Sequence, residues 1–219
     1  MRRLGPFHTL TAGVVLAAGL GVASWQTAPR ADTPAKAVGI RATMAGDSLT
    51  AATPTPAPAA DPTPRRADYA GVVQGNGGLL ALSIKNGKAV AYFCDGRRES
   101  WLKGTAENGT ATLTGKNDAL LTAALTDTKA KGRLQVGKAS WRFTAKLVTK
   151  PSGLYRATAQ VRGAKIVGGW IILPDGRQVG LLKLDDSPYP TPALTPGSPL
   201  TIDGATLRPQ DADEFIDAF

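Results

Sequence analysis

The chain has 219 residues, with 26 Lys and Arg against 17 Asp and Glu, a net charge of +9, one His and one Cys. That is enough for one ordinary domain with tails. Because the single histidine is His8, the rest of the chain lacks the imidazole needed for a Ser-His-Asp or Cys-His pair, a His-ligated zinc or a haem ligand.

Residues 1–25 read as a signal peptide or an N-terminal membrane anchor. Arg2 and Arg3 precede an uncharged run, Leu10 to Trp25 (LTAGVVLAAGLGVASW). Its length falls between a signal-peptide core of about 7–15 residues and a spanning helix of about 20. In both cases the arginines stay in the cytoplasm and the remainder is expected outside it, anchored or secreted. Residues 26–67 read as a disordered linker, with ATPTPAPAADPTP at 52–64 expected to sample extended polyproline-type conformations.

Residues 68–186 contrast with both flanks, since they hold only Pro151 and Pro174 and a net charge of +9. Short apolar runs recur between turn signals such as Asn86-Gly87, Asn108-Gly109 and Asp175-Gly176, which supply the positive φ of tight hairpins. Nine runs have strand length and composition: 79–85, 89–94, 100–106, 110–115, 120–126, 140–148, 154–161, 169–173 and 178–184. In the seventh, Leu154, Arg156, Thr158 and Gln160 alternate with Tyr155, Ala157, Ala159 and Val161. The expected fold is all-β, an antiparallel meander closing as a small barrel or folding as a two-sheet sandwich. A repeat, Ser100-Trp101 with Ser140-Trp141, suggests two Trp-bearing strands in equivalent barrel positions.

Residues 187–219 carry a net charge of −4 and read as a Pro-rich strap, a hairpin about Asp203-Gly204, and an acidic tail with Phe215, Ile216 and Phe219 at helical spacing. Such a tail is expected to fold back on the basic domain.

Five aromatics, Tyr92, Trp101, Trp141, Tyr155 and Trp170, are candidates to line a ligand cup in the barrel, with core filling as the alternative. Lys129, Lys131, Arg133, Lys138 and Arg142 are close in sequence and form a candidate basic patch for a polyanion such as teichoic acid or anionic lipid. Cys94 is the only thiol, so no internal disulfide forms, and a buried structural role is expected for it. A glycan hydrolase needs only two carboxylates, but Asp95, Asp118 and Asp175 read as turn formers and no pair stands apart. No catalytic residue, metal site or cofactor is expected, and no nucleic-acid motif is present.

The stretches AVAYFCDGRRESWLKG (89–104), TGKNDALLTAAL (114–125) and GLYRATAQVRGAKIVGGWIILPDGRQVGLL (153–182) resemble an uncharacterised extracytoplasmic β-domain of exported proteins from high-GC Gram-positive bacteria. The resemblance implies a β-fold and an envelope location, and transfers no catalytic residue. The resulting expectation is a monomeric, non-catalytic binding or sensory module on a flexible stalk, with a cell-wall polymer or membrane protein as partner. The alternatives are a carboxylate-dependent cell-wall hydrolase and a polyanion-binding surface protein.

Overall fold

A computed structural model describes residues 60–219 apart from Asn76, Arg162 and Asp203. The expected targeting segment and nearly all of the linker lie outside the described residues. Among the described residues no helix is long and apolar enough to cross a membrane.

Eight consecutive antiparallel strands close into a barrel: β1 (Arg66–Val73), β2 (Leu79–Lys85), β3 (Lys88–Cys94), β4 (Glu99–Glu107), β5 (Thr110–Gly115), β6 (Leu120–Leu125), β7 (Lys129–Val136) and β8 (Ala139–Val148). Tight turns do much of the folding locally. Asn86-Gly87 between β2 and β3 and Asn108-Gly109 between β4 and β5 both take positive φ at both residues, the geometry of the two-residue hairpin. Closure pairs β1 with β8 from Asp68↔Val148 to Val73↔Phe143.

The barrel interior is a packed core. Tyr69, Leu80, Leu82, Phe93, Leu102, Leu113, Leu121, Leu134 and Phe143 are at most 2 % exposed, and alanines fill the narrow places between them. Eight strands leave room for side chains and little else. Strand curvature is set where inward-facing glycines let neighbouring backbones approach. A Cβ on Gly104 would lie 2.0 Å from the Thr112 carbonyl oxygen, and one on Gly132 1.9 Å from that of Thr122.

The chain beyond Val148 does not join this barrel. It forms a second sheet in the order β12-β11-β10-β9-β15, from β9 (Gly153–Val161), β10 (Ala164–Ile172), β11 (Gln178–Leu184), β12 (Ser187–Pro190) and β15 (Gln210–Asp211). The sheet lies on the outside of β1–β3, where Ala70, Ala81, Val90, Tyr92 and Cys94 meet Leu154, Ile171 and Leu181. This is why β2 and β3 are apolar on both faces, whereas β5 and β6 alternate buried and exposed residues. The outer face of the sheet, with Tyr155, Ile166, Trp170 and Leu182, is covered by Leu194 and by a hairpin of β13 (Leu200–Ile202) and β14 (Ala205–Leu207). Gln178 clamps the intervening strap, accepting from the Leu194 N–H at 2.8 Å. The chain ends in a one-turn helix, α1 (Ala212–Phe215), capped by Asp211, and a 3-10 turn (Ile216–Ala218). This segment folds back through ion pairs of Asp211 and Asp213 with Lys150, Asp213 with Arg66, and Asp217 with Lys85.

Candidate functional site

The five aromatics expected around one cup are divided among three packing layers. Trp141 faces the barrel interior, stacked 5.8 Å from Phe93. Tyr92 and Trp101 face outward into the seam between barrel and sheet. Tyr155 and Trp170 lie on the far face of the second sheet, where the Tyr155 hydroxyl donates to the Pro151 carbonyl and the Trp170 indole N–H to that of Pro192. The cup is therefore replaced by a filled core. The repeat is not a structural equivalence either: Trp101 neighbours inward-facing Leu102 and points out, while Trp141 shares the inward parity of Phe143.

A concavity does form at the seam. A cleft of about 950 Å³ opens between β4 and the end of β5, the β9–β11 side of the second sheet, and the C-terminal segment. Trp101 lines its floor, and the cross-strand partner Tyr92 is buried beneath with the ring centroids 4.3 Å apart. Gly169 of β10 lies directly behind this pair, and a Cβ there would come within 2.6 Å of both rings. Phe215 and Phe219 pack against the exposed side of Trp101, at 6.1 and 5.5 Å between centroids. Arg156, from the barrel-facing side of β9, places its guanidinium 5.6 Å from the Trp101 ring centre and 5.1 Å from that of Phe219.

The polar groups at one end are locked together. Glu99, whose side chain is only 4 % exposed, pairs with Lys183 at 3.0 Å and accepts from the Tyr92 hydroxyl at 2.5 Å. The same hydroxyl accepts the Leu181 N–H at 3.3 Å. Burial, reinforced by the neighbouring Glu99 charge, raises the Tyr92 hydroxyl well above its ordinary value, so it remains a donor to Glu99. Two donors are left over: Trp101 Nε1 and Arg156 Nε are buried with no hydrogen-bond partner. Burial lowers the Arg156 guanidinium from its ordinary value.

Cys94 is buried in the seam, its thiol pushed up to about 11 chiefly by burial, and is therefore protonated at neutral pH. Asp95 and Asp175 accept backbone N–H groups of Arg97 and Arg177 in their own turns, and Asp118 takes positive φ in another. No group of three or more His, Cys, Asp or Glu side chains placed to hold a metal occurs among the described residues.

The basic residues behave differently from the aromatics, since the sheet does assemble most of them. On the outside of β7 and β8, Lys129 lies opposite Lys146 and Arg133 opposite Arg142, with Lys131 between. Lys138 stands apart in the β7–β8 turn, next to Gly137. A shallow groove of about 500 Å³ runs past Leu120, Lys131, Arg133 and Arg142. None of these six cations is in an ion pair among the described residues.

Sequence reasoning placed Trp101 in a site but passed over Arg156, Glu99, Lys183, Phe215 and Phe219. The available signal was the continuous apolar character of LLALSIK and AVAYFC. Strands buried on both faces require a second layer, and a seam between layers is where clefts form. No family model, no curated protein and no solved structure is found to match this chain.

Proposed function

We propose that the protein is a non-catalytic binding or sensory module, displayed outside the cytoplasm on a flexible N-terminal stalk, and that it takes its ligand in the seam cleft. The observation that carries this reading is the cleft itself: an aromatic wall held from behind by Gly169, an Arg156 without an ion-pair partner among the described residues, and a buried carboxylate already engaged. Glycan hydrolysis needs an acid and a base free to act across the bond. Glu99 has one oxygen on Lys183 and the other on Tyr92, and Asp185 accepts the Lys165 N–H, which favours binding over hydrolysis.

The test is to incubate the full chain with cell-wall polymer fragments, following Trp fluorescence and reducing-end release together. A saturable signal that is lost in Trp101→Ala, without release of new ends, is the expected result. New ends that disappear in Glu99→Gln would instead make it a hydrolase. Fractionation of the host with intact mass of the recovered chain tests the location, and recovery from the cytoplasm would overturn it.

A second reading rests on the β7–β8 face. Like charges directly opposite one another disfavour a sheet, and two such pairs stand on one face with Lys131 between them. This favours an anionic polymer as a further partner. Binding to polyphosphate should weaken steeply with salt and fall at least about tenfold in the Lys131→Glu, Arg133→Glu double variant. An unchanged affinity would remove the polymer from that face.

A further inference from the structure

We infer that the seam cleft is specific for an oxyanion carried on a ring-shaped apolar body, with the Arg156 guanidinium as the group that receives the carboxylate or phosphate. The inference rests on the reading of the cleft as a binding site and adds the class of ligand.

It begins with an imbalance of hydrogen-bonding groups. Arg156 has five N–H donors and no acceptor. Among the described residues no carboxylate lies within ion-pair distance of it, and none of its nitrogens has a hydrogen-bond partner. Of the three, only Nε is closed off from solvent, so the terminal fork is the part that faces the cleft. Trp101 Nε1 also lacks a partner but is closed off from solvent like Nε, so the accessible donors are the Arg156 fork and the lysines of the same wall. The acceptors are accounted for differently. Glu99 is consumed by Lys183 and Tyr92, Asp185 by the Lys165 N–H, and Asp186 sits exposed in the turn after β11. The cleft therefore offers surplus donors to whatever enters it.

Charge points the same way. Lys103, Lys116, Arg156, Lys165 and Lys183 line the cleft against Glu99, Asp185 and Asp186. The guanidinium carbon lies 5.6 Å from the Trp101 ring centre and 5.1 Å from that of Phe219, and those two centres are 5.5 Å apart, so both rings sit to one side of the group and its far edge is uncovered by either. That leaves the in-plane fork, which matches the two oxygens of a carboxylate or phosphate. Trp101, Phe215 and Phe219 supply apolar surface beside that fork, so the anion is expected to be attached to a flat body that stacks there. A bare inorganic anion would leave this surface unused.

The experiment uses matched probes on the full chain. Benzoate and phenyl phosphate carry the anion, and benzamide and benzyl alcohol are their neutral counterparts. Binding is read from the Trp101 indole N–H resonance, assigned with Trp101→Phe. The anions are expected to bind at least about tenfold more tightly than the neutral probes. Arg156→Met, which keeps a side chain against the rings, should remove that preference, and Arg156→Lys should keep part of it without the fork. A thermal midpoint within a few degrees of the parent shows that either variant is folded. Equal binding of anions and neutrals overturns the inference while leaving the cleft as a binding site. If no probe binds, both readings fall. If the anion preference survives in Arg156→Met but is lost in the Lys131→Glu, Arg133→Glu variant, the anions are bound on the barrel face and the inference is wrong.

Discussion

A methyl group on Gly169 would fall 2.6 Å from both the Trp101 and Tyr92 rings, closer than carbon atoms can pack. The Tyr92 ring has no room to yield, because it is fully buried and its hydroxyl is fixed between Glu99 and the Leu181 N–H. Gly169→Ala is therefore expected to destabilise the fold by about 2 kcal/mol, lowering Tm by about 4–8 °C. It should also perturb the Trp101 indole resonance more than that of Trp141. An unchanged Tm would mean that the sheet rides over the pair with slack. Lys183→Met probes the other end of the cleft. It leaves Glu99 buried beside a single donor, at an expected cost of about 3 kcal/mol by urea unfolding. The same change in Arg98, whose partner Asp95 sits in a surface turn, should cost less than about 1 kcal/mol.

At the scale of elements, the C-terminal segment is held by charge on one side and by aromatic packing on the other. Burial alone would raise the Asp213 carboxyl. Hydrogen bonds and charge from Lys150 and Arg66 outweigh it and hold the group below its ordinary value. Asp217 is likewise lowered, first by its hydrogen bond to Lys85. A carboxyl whose value is lowered by docking stabilises the docked form above the ordinary value near 3.8 and loses that contribution as the pH falls through the lowered value. Acidification below about pH 4 should thus release the segment, uncover Trp101 and shift its emission to the red. High salt should move the release to higher pH by screening the pairs. Emission that is flat to pH 2 would show that Phe215 and Phe219 suffice as the anchor. Much of this element map was legible in the sequence. The limits of β2, β5 and β11 coincide with the apolar runs, and the alternation of TATLTG gives the one-sided burial of β5. Two strands of the barrel escaped, as did the short β12 and β15 of the second sheet. In β7, KAKGRLQV, the inward positions are Ala130, Gly132 and Leu134, too small to read as an apolar face, and the glycine is there because a neighbouring backbone occupies the space. In β1, Arg66 and Ala67 merge with the linker composition. Arg156 was on the page with its correct face. Nothing local distinguished it from a solvent-facing arginine, because the rings it lies against come from residues 101 and 219.

At the scale of the whole molecule, β1–β3 belong to two cores at once. One face of each closes the barrel interior and the other supports the second sheet. Neither layer can be lost without exposing apolar surface on the other, so unfolding should be a single event. Trp141 reports on the interior and Trp170 on the outer sheet. Denaturant curves from variants keeping one or the other of these reporters should therefore coincide in midpoint and slope. Separate midpoints would define the outer sheet as an independent unit. The expectation of a barrel was correct in kind, but spreading one meander over residues 68–186 missed that β1–β8 already close the ring at Val148. Ring closure is a long-range pairing, which alternation along a strand does not encode. A closed ring has no free edge, so among the described residues the longer outer strands are those of the second sheet. At one edge is β12, SPYP, where two of four residues lack an N–H. At the other is β15, which pairs only with Tyr155 and Arg156 and leaves the outer margin of β9 from Ala157 onward without a strand partner among the described residues. The β12 margin therefore gives a second copy little backbone to pair with, whereas the β9 margin is open. Backbone pairing between two crowded copies is thus confined to a single margin, that of β9.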